Sequence, residues 1–200
     1  MQIIIEALEY ATEHHKSMFR KETKIPYMSH LLNVCKLLAE RDCEEPVLAA
    51  ALLHDIVEDT GVTIKEVETK FGKEIASLVA AATEPYKLDK LEFNETETWR
   101  ERKEHTIQFI KEKASLNQAL IILADKTDNI SSIASDYKRI GPKIWERFNA
   151  KEPEQRWYFY SLLAAFTSAR HNSKAYDELV EVFEKKVNKV FIQPIATHEI

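Results

Sequence analysis

The sequence predicts an all-α protein folded as one compact multi-helix domain. Apolar residues recur at helical spacing along most of the 200 residues. Runs that alternate apolar and polar residues, as strands do, are scarce. Glycine occurs only 3 times and proline 6 times, which leaves long periodic stretches unbroken. With 44% hydrophobic and 30% charged residues, a chain of this length can bury a core without disulfides or a structural metal. The domain is expected over residues 1–190, with 191–200, containing "QPIATHEI", as a frayed C-terminal tail.

Each element has a local reason. Ile4, Leu8, Ala11 and His15 share one face of a first helix, about 2–19, and the polar loop "RKETKI" follows. Pro26 suits the first turn of the next helix, "PYMSHLLNVCKLLAERD". A third helix starts near Glu45-Pro46 and runs to about Val57, with Gly61 breaking it. "TIKE", Thr63 to Glu66, is a capping box opening a helix that ends near Phe71-Gly72, after which 73–83 continue helical. Residues 84–98 lack clear periodicity and read as a loop. A helix is expected over 99–113, and "SLNQ", Ser115 to Gln118, is a second capping box opening the apolar helix "ALIILADKTDNISSIAS". Gly141-Pro142 marks a turn, and helices over 153–170 and 174–190 complete the domain.

Charge and composition exclude several classes. Lys and Arg number 28 against 33 Asp and Glu, a net charge of −5 with no dense basic block, so a nucleic acid is not the expected partner. The N-terminus turns polar too early for a signal peptide. No apolar run approaches the ~20 residues of a membrane span. A cytoplasmic protein without membrane contact is expected, and the sequence leaves a homo-oligomer open. Cys35 and Cys43 fall in one predicted helix, where eight residues rise about 12 Å, too far for a disulfide.

The chemistry concentrates in three places. In "AALLHDIVEDT", Val47, Ala50, Ala51 and His54 form one stripe, so His54 continues the core face. Asp55, Glu58 and Asp59 then gather at the helix C-terminus, where the dipole already disfavours negative charge. Carboxylates placed there call for a cation. In "LADKTDNISS", Asp125 continues the stripe of Ile121 and Ile122, and an unpaired buried carboxylate is very costly. In "PYMSHLL", His30 stands one turn into a helix among apolar neighbours. Two histidines and two aspartates from three helices make an N₂O₂ donor set suited to Mn²⁺, Fe²⁺ or Zn²⁺. Taken singly, each residue also has an ordinary role: His30 as a core histidine, Asp125 as a helix–helix hydrogen-bonding residue, Glu58 and Asp59 as solvated helix-end charges.

The chain resembles the HD-domain phosphohydrolases. More narrowly, it is similar to the (p)ppGpp hydrolase domain of RelA/SpoT enzymes and to the stand-alone small alarmone hydrolases. The matching stretches are "HKSMFRK" at 15–21, "PYMSH" at 26–30, "AALLHDIVEDT" at 50–60, "FGKEIASLV" at 71–79 and "LADKTDN" at 123–129. The resemblance implies a single HD domain with His30, His54, Asp55 and Asp125 as metal ligands, and Glu58 and Asp59 orienting or activating the attacking water. It implies Arg20 and Lys21 beside the guanine nucleotide and Asn129 near its sugar. The reaction implied is Mn²⁺-dependent removal of the 3′-pyrophosphate of ppGpp, a small-molecule nucleotide substrate. Because the product is highly anionic, Lys126 joins Arg20 and Lys21 as a candidate for lining its path. Trp157, Tyr158 and Tyr160 are either core or include a ring facing the nucleotide.

The chain also departs from the family pattern. Met18 replaces a usual Gln, Leu31 a usual Pro, Ile122 a frequent Lys, and Thr127-Asp128 a typical Leu-His or Leu-Tyr. Asp128 is therefore expected to add negative charge beside the substrate and weaken phosphate binding. Two other functions fit the same motifs. One is an HD phosphohydrolase acting on another nucleotide or dinucleotide phosphate, and the other is a non-catalytic nucleotide-binding protein.

Overall fold

The computed structural model describes residues 1–88, 94 and 96–191. The described chain is helical throughout: α1 (Gln2–His15), α2 (Met28–Ala39), α3 (Glu45–Leu53), α4 (Ile56–Asp59), α5 (Ile64–Ala82), α6 (Pro85–Leu88), α7 (Trp99–Glu112), α8 (Leu116–Ile140), a 3₁₀ turn (Gly141–Arg147), α9 (Glu152–Ala169) and α10 (Lys174–Phe191). Among the described residues there is no strand, only an isolated antiparallel bridge between Phe19 and Pro26. No described helix is long and apolar enough to cross a membrane.

The core is organised around two helices. Every residue of α3 from Val47 to Leu53 except Leu48 is buried, as a helix apolar on nearly all sides must be. It packs against α1, α2, α5 and α8. The first half of α8 is likewise buried from Ala119 to Asp125, and α8 also packs against α2, α5 and α10. Aromatic rings of α9 and α10, including Phe159, Phe166 and Phe183, close the far side.

Both capping boxes form: Thr63 with Glu66 opens α5, and Ser115 with Gln118 opens α8. Gly72 adopts φ +87° and breaks the helical path inside α5 at the predicted place.

Five expectations change. The first helix stops at His15, because the chain turns into the Phe19–Pro26 bridge. The helix expected to run from Glu45 to Val57 is two: α3 stops at Leu53, and Asp55 (φ −95°, ψ −2°) turns the chain into α4. Cys43 lies beyond the end of α2, and both cysteines are free thiols. Within the stretch read as a loop, Pro85–Leu88 form a helical turn, while 89–93 and 95 fall outside the described residues. The final helix extends to Phe191, and the expected frayed tail, from 192 on, also falls outside them.

Candidate metal centre and active site

Three parts of the core bring His30, His54 and Asp55 together as a metal-type group, with Asp125 beside both imidazoles. His30 comes from the first turn of α2, Asp125 from the middle of α8, and His54 and Asp55 from the bend between α3 and α4. That bend gives both side chains of an adjacent pair the same destination. On a continuous helix they would diverge by about 100°.

Both imidazoles are almost wholly buried, each with 1% exposure. His54 Nδ1 lies 2.8 Å from the carbonyl of Ala51, to which it donates. His30 Nδ1 lies 2.6 Å from Asp128 Oδ2. These partners assign the proton of each ring to Nδ1 and leave each Nε2 facing the acids. His30 Nε2 is 3.3 Å from both Asp55 Oδ2 and Asp125 Oδ1. His54 Nε2 is 3.1 Å from Asp55 Oδ2 and 3.8 Å from Asp125 Oδ1, yet it is buried without a hydrogen bond. Ligand atoms of His30, His54 and Asp55 lie within 4.8 Å of one another. A buried, unpaired imidazole nitrogen converging with a second one and two carboxylate oxygens fits a divalent metal.

The electrostatics agree. Burial alone would lower the pKa of His30, but hydrogen bonds to Asp125, Asp128 and Asp55 raise it to about 9. His54 is likewise raised despite burial, by the charges of Asp55 and Asp125. Burial would raise the carboxyls of Asp55 and Asp125, yet neighbouring cations hold both well below the usual range. Without a metal, protons on the imidazoles supply the positive charge the acids demand, and a divalent ion can replace them.

Glu58 stands on α4, one turn beyond Asp55. Its Oε1 accepts the backbone N–H of Glu84 at 2.6 Å. Burial, with the charges of Asp55 and Glu84, raises its pKa to about 7. Glu84 is itself clamped from α7 by Arg102 and by Lys103 at 2.7 Å. Asp59, the other half of the predicted pair, is exposed. Between these acids, Tyr27 donates its hydroxyl to Asp55 Oδ2 at 2.7 Å.

A cavity of about 660 Å³ adjoins this cluster, within the usual range for a small-molecule site. All four predicted substrate-side residues, Arg20, Lys21, Lys126 and Asn129, line it. They also connect to the metal cluster. Arg20 donates to Asn129 Oδ1 at 2.7 Å, and Asn129 Nδ2 donates to Asp125 Oδ1 at 2.6 Å. Lys126 Nζ donates to the other oxygen of Asp125, also at 2.6 Å. Lys21 is exposed and has no ion pair among the described residues. Of the three aromatic candidates, Tyr158 reaches the cavity. Trp157 stacks under Arg100, with the guanidinium 3.2 Å from the ring centre, and Tyr160 donates to Asn188.

Asp128 lines the cavity, with one oxygen engaged by His30 and the other by Asn33 Nδ2 at 3.0 Å. Sequence reasoning missed Tyr27, Asn33, Glu84, Arg102 and Lys103. Tyr27 and Asn33 stand within one turn of His30, a proximity that could have flagged them. The contact of Glu84 with α7 carries no local signal.

A family model described as "HD domain" matches residues 7–152. Guanosine-3′,5′-bis(diphosphate) 3′-pyrophosphohydrolase MESH1 of Drosophila melanogaster is 38% identical over 132 residues, covering 64% of this chain and 68% of that protein. Its Xenopus tropicalis counterpart is 35% identical, covering 75% and 78%. The solved structure of a metazoan ortholog of SpoT, described as hydrolysing ppGpp, superposes with a TM-score of 0.70 at 28% identity, covering 93% of this chain and 96% of that one. The structure of lmo0812 from Listeria monocytogenes EGD-e gives 0.68 at 32% identity, covering 82% and 99%. With the metal-type cluster in place and the family model spanning most of the domain, this chain belongs to the HD-domain family, among relatives that include the MESH1 pyrophosphohydrolases.

Proposed function

We propose that the protein hydrolyses the 3′-pyrophosphate of ppGpp to give GDP and pyrophosphate, with Mn²⁺ as its metal. One observation carries the reading. Tyr27, Lys126, Asp128 and Asn129 line the cavity, and each hydrogen-bonds a predicted metal ligand. The nucleotide-sized space and the metal cluster therefore share a wall. The named activity of the MESH1 relatives supports the substrate. The N₂O₂ donor set supports Mn²⁺, and also accepts Fe²⁺ or Zn²⁺.

His30, His54, Asp55 and Asp125 would hold a divalent cation, which would supply polarisation of a phosphoryl oxygen and a lowered pKa for water. Glu58, with a pKa near 7 and its Oε1 fixed by the Glu84 N–H, orients the attacking water and takes its proton. The water oxygen bonds to phosphorus, and the 3′ oxygen leaves with the bonding electron pair and takes up a proton. Lys126, Arg20 and Lys21 place positive charge along the phosphate path, and Asp59 supports the acidic end of α4.

A second reading, hydrolysis of a less charged nucleotide phosphate, is favoured by one feature. Most cavity cations already have protein partners, as Lys103 has Glu84, Lys126 has Asp125, and Arg147 has Asp136. Incubating Mn²⁺-loaded protein with a nucleotide panel that includes ppGpp separates the two. Pyrophosphate and GDP from ppGpp support the first. Intact ppGpp with orthophosphate released from another nucleotide supports the second. No metal-dependent turnover of any nucleotide would leave a non-catalytic binding protein.

A further inference from the structure

The two ligand histidines are backed differently. His54 gives its Nδ1 proton to a neutral backbone carbonyl, that of Ala51. His30 gives its proton to a carboxylate, Asp128, at 2.6 Å. Asp128 has only 7% exposure, and its second oxygen takes the amide of Asn33 at 3.0 Å. Both oxygens are therefore occupied by donors from α2, and the carboxylate is held in a single orientation.

We propose that Asp128 is a positioning residue for the metal. It fixes His30 in the Nδ1–H tautomer and strengthens Nε2 as a donor, and Asn33 holds it in place. The proposal rests on the reading of His30, His54, Asp55 and Asp125 as a metal site. Its physical basis is general. A carboxylate that accepts the far proton of a ligand imidazole orients the ring and raises its basicity, and loss of such a partner typically weakens metal binding about 10–100-fold. A backbone carbonyl orients the ring equally well but adds no full negative charge. The pair thus makes His30 the stronger of the two imidazole donors. It also explains how a negative charge is tolerated in the wall of a cavity meant for phosphates: the charge is directed away, into α2.

The test is Mn²⁺ affinity, measured on metal-stripped full-length protein by chelator competition, for wild type, Asp128→Asn and Asn33→Ala. Asp128→Asn keeps the size and an acceptor oxygen but removes the charge, and should weaken binding about 10–100-fold. Asn33 lies on the exposed side of α2, so Asn33→Ala spares the fold and should weaken binding by a smaller factor in the same direction. With diamagnetic Zn²⁺ bound, the Nδ1 proton of His30 should resonate far downfield in wild type and move upfield in Asp128→Asn, while that of His54 stays put. An Asp128→Asn protein that binds Mn²⁺ within about twofold of wild type overturns the proposal while leaving the metal site standing. Should that variant fail to fold, an Asn33→Ala protein with unchanged affinity and an unchanged His30 signal overturns it instead. Wild-type protein that binds neither Mn²⁺ nor Zn²⁺ overturns the metal reading itself.

Discussion

The metal side and the nucleotide side of this site use the same residue types to different ends. His30, His54 and Asp125 are buried and Asp55 is half-buried, and further groups aim them: Asp128 and Asn33, the Ala51 carbonyl, Tyr27 and Asn129. The one orphaned atom there, His54 Nε2, is the one a metal would satisfy. Across the cavity, Arg20, Lys103, Lys126 and Arg147 are also partnered, but with groups an anionic substrate would compete against. The metal side is preorganised for its ligand. The nucleotide side must exchange internal hydrogen bonds and ion pairs for phosphate contacts, and each exchange subtracts from binding energy. Metal chemistry should therefore be sensitive to single changes with large effects, and substrate binding to several changes with modest ones.

The largest effect is expected on the metal side. His54→Ala or Asp125→Ala should remove the metal and lower turnover by about 10³-fold or more, since a divalent ion contributes several kcal/mol to the transition state. Metal content by mass spectrometry and kcat on the same sample check this, and full occupancy in both variants would break the assignment. Glu58→Gln should keep metal and fold but lower kcat by about 10²–10⁴-fold, because the amide cannot accept a proton. Near wild-type kcat would remove Glu58 from the chemistry. Arg20→Ala should raise KM by about tenfold while kcat changes little, the pattern of lost ground-state binding. If kcat falls instead, the Arg20–Asn129–Asp125 chain positions the metal, and the contrast between the two sides blurs.

The smallest effect on turnover is expected at the Glu84 side chain, because its backbone N–H holds Glu58 and its charge adds only to the larger effects of burial and Asp55 on the Glu58 pKa. Burial would raise the pKa of Glu84, but Lys103 and Arg102 reverse this and hold it at about 2, below the ordinary 4.5. A depressed carboxylate contributes stability above its unfolded pKa and loses it as pH falls through the folded one, here between about 4.5 and 2. Glu84→Gln should therefore lower stability at neutral pH by up to about 3 kcal/mol and flatten its acid dependence in that window. Thermal unfolding across pH reads this, and an unchanged acid profile would show that the clamp contributes nothing.

Features set by neighbours in the chain were legible in the sequence. Thr63 with Glu66, Ser115 with Gln118, and Gly72 act within a few residues, and each does what local chemistry requires. His54 and Asp125 were legible because they continue apolar stripes that had to be buried. The bend at Asp55 was not, since a helix carrying an apolar stripe looks the same whether or not its last turn is redirected. The partners of Asp128 were not legible for a related reason. From sequence Asp128 is one more acid near a phosphate site, and only the approach of α2 to α8 supplies His30 and Asn33 as partners for both its oxygens. The Glu84–Arg102–Lys103 clamp joins a residue between α5 and α6 to two on α7, with no shared periodicity, so nothing local announces it.

The central claim, that this cluster directs a water onto the phosphorus of a 3′-pyrophosphate, is tested most directly by turnover of ppGpp in ¹⁸O-labelled water. Mn²⁺-loaded wild-type protein should release GDP and pyrophosphate in equal amounts, with the label in pyrophosphate and none in the 3′ hydroxyl of GDP. Label in that hydroxyl, or ppGpp left intact by metal-replete protein, would contradict it.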